Sequence, residues 1–189
     1  MTTTSVMIAG VGGQGTLLAS KVLGAALLSL DYDVKVSEVH GMSQRGGSVV
    51  TYVRFGDEVH APIVDLGDAD FLLAFEPLEA ARYVSRLKPD GLLIVNTAPT
   101  LPMPVITGQM VYPDGVIEKL RARLNTVAID ALAPAKEAGS AKAVNMVLMG
   151  ALAARMRIPP SAWKDALERQ VPARFLELNR RAFELGNAY

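Results

Sequence analysis

The chain of 189 residues is half hydrophobic and one fifth charged, enough for one substantial core or one domain with a helical extension. Lysine plus arginine and aspartate plus glutamate number 19 each, and the basic residues are scattered, so no field gathers nucleic acid or anionic lipid. Cysteine is absent and the only histidines are His40 and His60, which excludes disulfides, thiolate zinc sites and cysteine-ligated iron–sulfur clusters within the chain and argues against a histidine-rich metal site.

The opening Met1-Thr2-Thr3-Thr4-Ser5 carries no basic stretch, and no apolar run approaches the roughly 20 residues of a membrane span. A cytoplasmic chain without a membrane partner is expected. Val6-Met7-Ile8-Ala9, ending at Gly10, reads as a buried parallel strand. Helical spacing of Leu17, Leu18, Val22, Ala25, Ala26 and Leu28 predicts a helix over Thr16 to Leu30, and Asp33 to Glu38 predicts a second strand. Strand, glycine turn, helix, strand is a βαβ unit with a right-handed crossover. His40 to Gly47 reads as a loop and Ser48 to Phe55 as a strand. Gly56-Asp57 predicts a tight turn into Glu58 to Val64, and so a hairpin.

Phe71 to Phe75 reads as a buried strand and Leu78 to Leu87 as a helix. Pro89-Asp90-Gly91 predicts a turn before a strand over Leu92 to Asn96. Ala98 to Tyr112, with Pro99, Pro102 and Pro104, is expected to be extended and irregular. Gly115 to Leu124 reads as a helix and Thr126 to Ile129 as a short strand. Beyond Ala131 the pattern is helical: a segment to Ala138, then Asn145 to Arg157, Ser161 to Gln170 and Arg174 to Leu185, the last three separated by Pro159-Pro160 and Pro172. The expected fold is α/β: a doubly wound, mostly parallel, Rossmann-like sheet with helices on both faces and a helical C-terminal extension. One domain over 1–189 is expected, with its core over about 5–155 and the extension over about 159–186.

Gly10-Val11-Gly12-Gly13-Gln14-Gly15 fits G-x-G-x-x-G between a strand and a helix. Glycines there permit a tight turn and close approach of a ligand, and the helix N-terminus offers N–H groups to an anion. The same glycines would equally serve packing against a neighbouring chain. A nicotinamide dinucleotide asks for an acid about 20 residues on. Glu38 ends the second strand but stands 28 positions after Gly10, which disfavours a stand-alone NAD(P) protein.

The second motif, Ser37 to Ser48, gathers Glu38, His40, Gln44 and Arg45 with Gly41, Gly46 and Gly47. In an open α/β sheet this loop lies at the carboxyl end of the second strand beside the first glycine loop, where ligands bind. Arg45 is suited to bidentate pairing with phosphate or carboxylate, and His40 to proton transfer or hydrogen bonding. The alternative is a loop that docks on another subunit, the more ordinary role for His40. No spacing gives a self-contained catalytic set, so no catalytic residue and no metal ligand is assigned. Glu76, between Phe75 and Pro77, suits a helix N-terminus. The small residues Ala143, Gly150, Ala151, Ala153 and Ala154 give one helix a face for close packing.

Gly10 to Gly15, Ser37 to Gly47, Ala74-Phe75-Glu76-Pro77-Leu78-Glu79-Ala80 and Val95-Asn96-Thr97 together resemble the gamma-type domain of 2-oxoacid:ferredoxin oxidoreductases. The run Glu38 to Gly47 most resembles the separate beta subunit of the indolepyruvate branch. The resemblance spans about residues 5 to 155. It implies an assembly that oxidatively decarboxylates a 2-oxoacid to an acyl-CoA and passes electrons to ferredoxin. Thiamine diphosphate and iron–sulfur clusters would sit on a larger partner subunit. This chain, inactive alone, would complete the active-site region and help hold coenzyme A, with Gly10, Gly12, Gly13, Gln14, Gly15, Glu38, His40, Gln44, Arg45, Gly46 and Gly47 as candidate contacts. The alternatives are a stand-alone Rossmann-type NAD(P)-binding protein and a non-catalytic scaffold subunit.

Overall fold

Both faces of the first strand, β1 (Thr4–Val11), are covered, and every residue from Ser5 onward is buried, as an uninterrupted apolar run requires. Its chain continues through α1 (Thr16–Leu28), β2 (Asp33–His40), β3 (Ser48–Gly56), β4 (Ala69–Ala74), α2 (Pro77–Tyr83) and β5 (Leu87–Asn96). There follow α3 (Met103–Ile106), α4 (Val116–Arg121), β6 (Asn125–Ile129), α5 (Leu132–Glu137), α6 (Val144–Ala153), α7 (Pro160–Gln170) and α8 (Ala173–Asn187). The computed structural model describes residues 3–41 and 46–189. Gln44 and Arg45 of the second motif lie outside the described residues.

The strands form a six-stranded sheet in the order β2-β3-β1-β4-β5-β6. β1, β4, β5 and β6 pair in parallel, while β3 runs antiparallel to both its neighbours. The mostly parallel sheet with helices on both faces and a helical C-terminal part matches expectation. Strand alternation divides the core. Ile8, Leu73 and Ile94 face α1, α6, α7 and α8 with Leu23, Leu148, Trp163 and Phe183. Met7, Leu72 and Leu93 face α2 and α4 with Ala80 and Leu120. The helix after β1 thus covers one face and the helix after β4 the other. The carboxyl ends of these adjacent strands mark the switch point at which open α/β sheets bind ligands.

Three local expectations are refined or corrected. First, the expected β1-α1-β2 unit is present, but its two strands are not neighbours: β3, expected only as a later strand, is inserted between them. Second, the hairpin is formed by β2 and β3, with Asp33 opposite Gly56 and His40 opposite Val49. Residues 57–68 form no strand. Their backbone groups are taken by side chains: Val59 N–H by Asp33 at 2.8 Å, the Ile63 carbonyl by Arg54 at 3.0 Å and the Val64 carbonyl by Arg86 at 2.6 Å. Third, Pro89-Asp90-Gly91 is an irregularity inside β5, whose pairing jumps from Ala69–Leu87 to Phe71–Leu92. Gly91 is needed there, since a Cβ would stand 2.9 Å from the Ala69 carbonyl oxygen.

Candidate functional site

The first glycine loop leaves β1 at the switch point and turns into α1. Gly13 and Gly15 have φ of 101° and 85°, conformations that side chains rarely adopt. Gly15 caps α1 with no side-chain hydrogen bond, so the first-turn N–H groups of Thr16, Leu17 and Leu18 have no intrahelical acceptor. The glycines divide by task. A Cβ on Gly10 would meet Gln14 Oε1 at 2.9 Å and Phe75 Cβ at 3.2 Å, so Gly10 is a packing glycine. A Cβ on Gly15 would come within 2.6 Å of Asn145 Nδ2, so Gly15 seats the loop against α6. Around a Cβ on Gly13 nothing stands within 4 Å.

The second loop lies beside the first, as its sequence position predicts. Gly12 N–H donates to the Gly47 carbonyl at 2.8 Å and Gly46 N–H to the Gly12 carbonyl at 3.3 Å. The close approach at Gly12 is therefore to the neighbouring loop, which consumes its N–H. Gly12, Gly13, Gly15, Thr16, Glu38 and His40 line one cavity of about 400 Å³. Glu38 accepts a hydrogen bond from the Thr51 hydroxyl at 3.3 Å. His40 is exposed, its Nδ1 3.1 Å from the Gly41 carbonyl. Thr16 is 6% exposed, and among the described residues its hydroxyl has no hydrogen-bond partner. Dinucleotide binding of the fingerprint type places the acid on the strand next to β1. Here β3 occupies that place.

Gln14, Gly13 and Gly15 also border a cleft of about 500 Å³ with Asn96, Thr100 and Lys142. Gln14 holds the loop's shape: its Oε1 accepts Val11 N–H at 2.7 Å and its Nε2 donates to Thr100 Oγ1 at 3.0 Å. Gly46 and Gly47 face a third hollow, of about 510 Å³, with Ser48, Glu76, Glu79 and Thr100 in its lining. Of the eleven candidate contacts, eight therefore line this carboxyl edge, Gly10 packs beneath it, and Gln44 and Arg45 are not described.

Sequence reasoning missed a polar network here. Glu76, 1% exposed, is the N-cap of α2 and accepts Glu79 N–H at 3.0 Å. It also accepts from Thr100 N–H at 3.4 Å and from the Tyr112 hydroxyl. Burial, then hydrogen bonding to Glu76, raises the Tyr112 phenol well above its ordinary value. Glu79, also buried, accepts from Ser48 Oγ and from Arg82 Nε. The residues before Pro77 gave a helix-start signal, but Thr100 and Tyr112 sit in a proline-rich stretch without periodicity, so nothing local announced their partner.

The pyruvate ferredoxin/flavodoxin oxidoreductase family model matches residues 5–189. The chain is similar to indolepyruvate oxidoreductase subunit IorB of Pyrococcus horikoshii, 43% identical over 96% of this chain and 93% of the relative. It is 37% identical to the subunit of the same name from Methanothermobacter thermautotrophicus, over 96% and 95% of the two chains. Among solved structures, the keto/oxoacid ferredoxin oxidoreductase gamma subunit of Geobacter sulfurreducens matches with a TM-score of 0.72 at 26% identity, over 97% of this chain and 95% of that one. The 2-oxoglutarate:ferredoxin oxidoreductase of Magnetococcus marinus shares the fold with a TM-score of 0.76 at 22% identity; all of this chain matches 31% of that one.

Proposed function

Because the chain belongs to the pyruvate ferredoxin/flavodoxin oxidoreductase family and is a subunit of a 2-oxoacid:ferredoxin oxidoreductase, we propose that it serves an indolepyruvate-type complex and helps hold coenzyme A. Its carboxyl edge then completes the active-site region of a larger subunit, and the electrons go on to ferredoxin. The full-length similarity to two indolepyruvate subunits supports the branch. Cluster ligation takes thiolates, and a sequence without cysteine does not fit it. The reading therefore assigns the iron–sulfur clusters, and with them thiamine diphosphate, to the larger subunit.

The observation that carries the coenzyme A role is the cavity where Gly13, Gly15 and Thr16 meet Glu38 and His40. Uncapped first-turn N–H groups and the Thr16 hydroxyl offer hydrogen bonds to a phosphate. Arg45, next to Gly46 in the sequence, has the planar fork that suits a phosphate. Co-expression with the larger subunit tests the reading. The two chains should co-purify, and indolepyruvate-dependent, coenzyme A-dependent reduction of ferredoxin should require both. Arg45→Ala should raise the coenzyme A KM by roughly 10- to 100-fold, the loss of a charge-assisted hydrogen bond, with Arg45→Lys recovering part. Dissociation of the complex with coenzyme A kinetics unchanged in the remainder would make the loop a docking element and the chain a scaffold.

A further inference from the structure

Glu76 places a carboxyl group in the interior, 1% exposed, and among the described residues no lysine, arginine or histidine pairs with it. Capping α2 does not require this. Serine, threonine, aspartate and asparagine are the favoured N-caps, and each is shorter. The longer side chain splits its two oxygens. Oε2 caps α2 through Glu79 N–H at 3.0 Å. Oε1 reaches the segment after β5, accepting Thr100 N–H at 3.4 Å and the Tyr112 hydroxyl.

Those two contacts hold both ends of a stretch that otherwise has little anchorage. Between them Leu101, Met103, Ile106, Met110 and Val111 are all exposed, and the only regular structure is the four-residue α3. Thr100 is also the acceptor for Gln14 Nε2 at 3.0 Å, and Gln14 in turn accepts Val11 N–H at 2.7 Å. One chain of hydrogen bonds therefore runs from Glu76 through Thr100 and Gln14 to the backbone of the glycine loop.

We propose that Glu76 is a positioning residue that straps residues 98–112 across the carboxyl edge of the sheet and, through Thr100 and Gln14, sets the shape of the glycine loop. Thr100 lines the cleft beside Gly13 and the hollow beside Gly46, so the strap forms a wall of both. The consequence for coenzyme A rests on the functional reading above; the coupling between strap and loop does not.

Hydrogen exchange on the full chain separates the roles. Glu76→Asp keeps a favoured N-cap but shortens the reach to the strap. Tyr112→Phe removes one anchor and leaves Glu76 intact, and Thr100→Val removes the acceptor of Gln14 while keeping its own N–H. In Glu76→Asp, amides of 98–112 and of 10–15 should both exchange about tenfold faster, with α2 amides unchanged. Tyr112→Phe should loosen the strap, and Thr100→Val the glycine loop. In the assembled complex, Thr100→Val should raise the coenzyme A KM several-fold with kcat and the 2-oxoacid KM unchanged. Faster exchange confined to the strap, with the glycine loop unaltered in all three variants, overturns the proposal. Coupled exchange with a coenzyme A KM that none of the variants moves leaves the strap standing and rejects coenzyme A as the loop's ligand.

Discussion

Gly150 of α6 and Gly186 of α8 bring two helix backbones into direct contact: a Cβ on Gly150 would stand 2.0 Å from the Phe183 carbonyl oxygen, and one on Gly186 would stand 1.9 Å from that of Val147. The contacted atoms are backbone, so neither can swing aside. Overpacking costs about 1–3 kcal/mol, and about 1 kcal/mol lowers Tm by roughly 2–4 °C in a chain of this size. Gly150→Ala and Gly186→Ala should each lower Tm by about 2–12 °C in thermal unfolding. A Tm unchanged in both would show that the helices separate without loss.

The glycines of the first loop should respond differently. Left-handed backbone costs a non-glycine residue about 1–2 kcal/mol, a penalty shared by Gly13→Ala and Gly15→Ala. At Gly15 the new methyl also displaces Asn145, whose Nδ2 donates to the Gly15 carbonyl at 3.3 Å. Gly15→Ala should therefore be the less stable in urea unfolding, and Gly13→Ala, whose methyl enters open space, should weaken coenzyme A binding more than its stability loss explains. The reverse order in urea would remove the role given to Asn145.

Tyr112 supplies a pH test. Its phenol is raised from 10.0 by burial first and by the Glu76 carboxylate second. A folded value above the unfolded one means that the neutral phenol stabilises the fold fully below about pH 10 and loses that contribution as pH rises towards the folded value. Stability of the wild-type chain should fall more steeply between pH 9.5 and 11 than that of Tyr112→Phe, by denaturant unfolding at each pH. Parallel curves would mean that the phenol meets the same environment folded and unfolded.

Much of this fold is written locally. The apolar run Val6 to Ala9, the glycines behind it and the spacing from Leu17 to Leu28 each specify their element without help, and the same holds for the small-residue face of α6. The placement of β3 is not local. Ser48 to Phe55 reads as a strand, but that it inserts beside β1, with Ser48 opposite Val11, depends on a pairing between distant segments. Gly56-Asp57 misleads because a turn dipeptide says nothing of whether a strand follows, and Pro62 with three side-chain-satisfied backbone groups ensures that none does. Pro89-Asp90-Gly91 misleads likewise, since a bulge and a turn use the same residues. At the site, the two loops and their adjacency were legible because glycine patterning is itself a backbone requirement. The reach of Glu76 to Thr100 and Tyr112 was not, because a side chain's long-range partner leaves no periodic trace.

The most direct test of the coenzyme A role is the KM for coenzyme A of the reconstituted complex carrying Thr16→Val. Valine nearly matches threonine in shape and removes only the hydroxyl, so folding and assembly should persist. If that hydroxyl donates to a phosphate oxygen, its loss costs about 1.5–3 kcal/mol, and the coenzyme A KM should rise roughly 10- to 100-fold. The 2-oxoacid KM should stay as it is in the wild type. An intact, active complex whose coenzyme A KM is unchanged would contradict the account, leaving the glycine loop as packing between subunits.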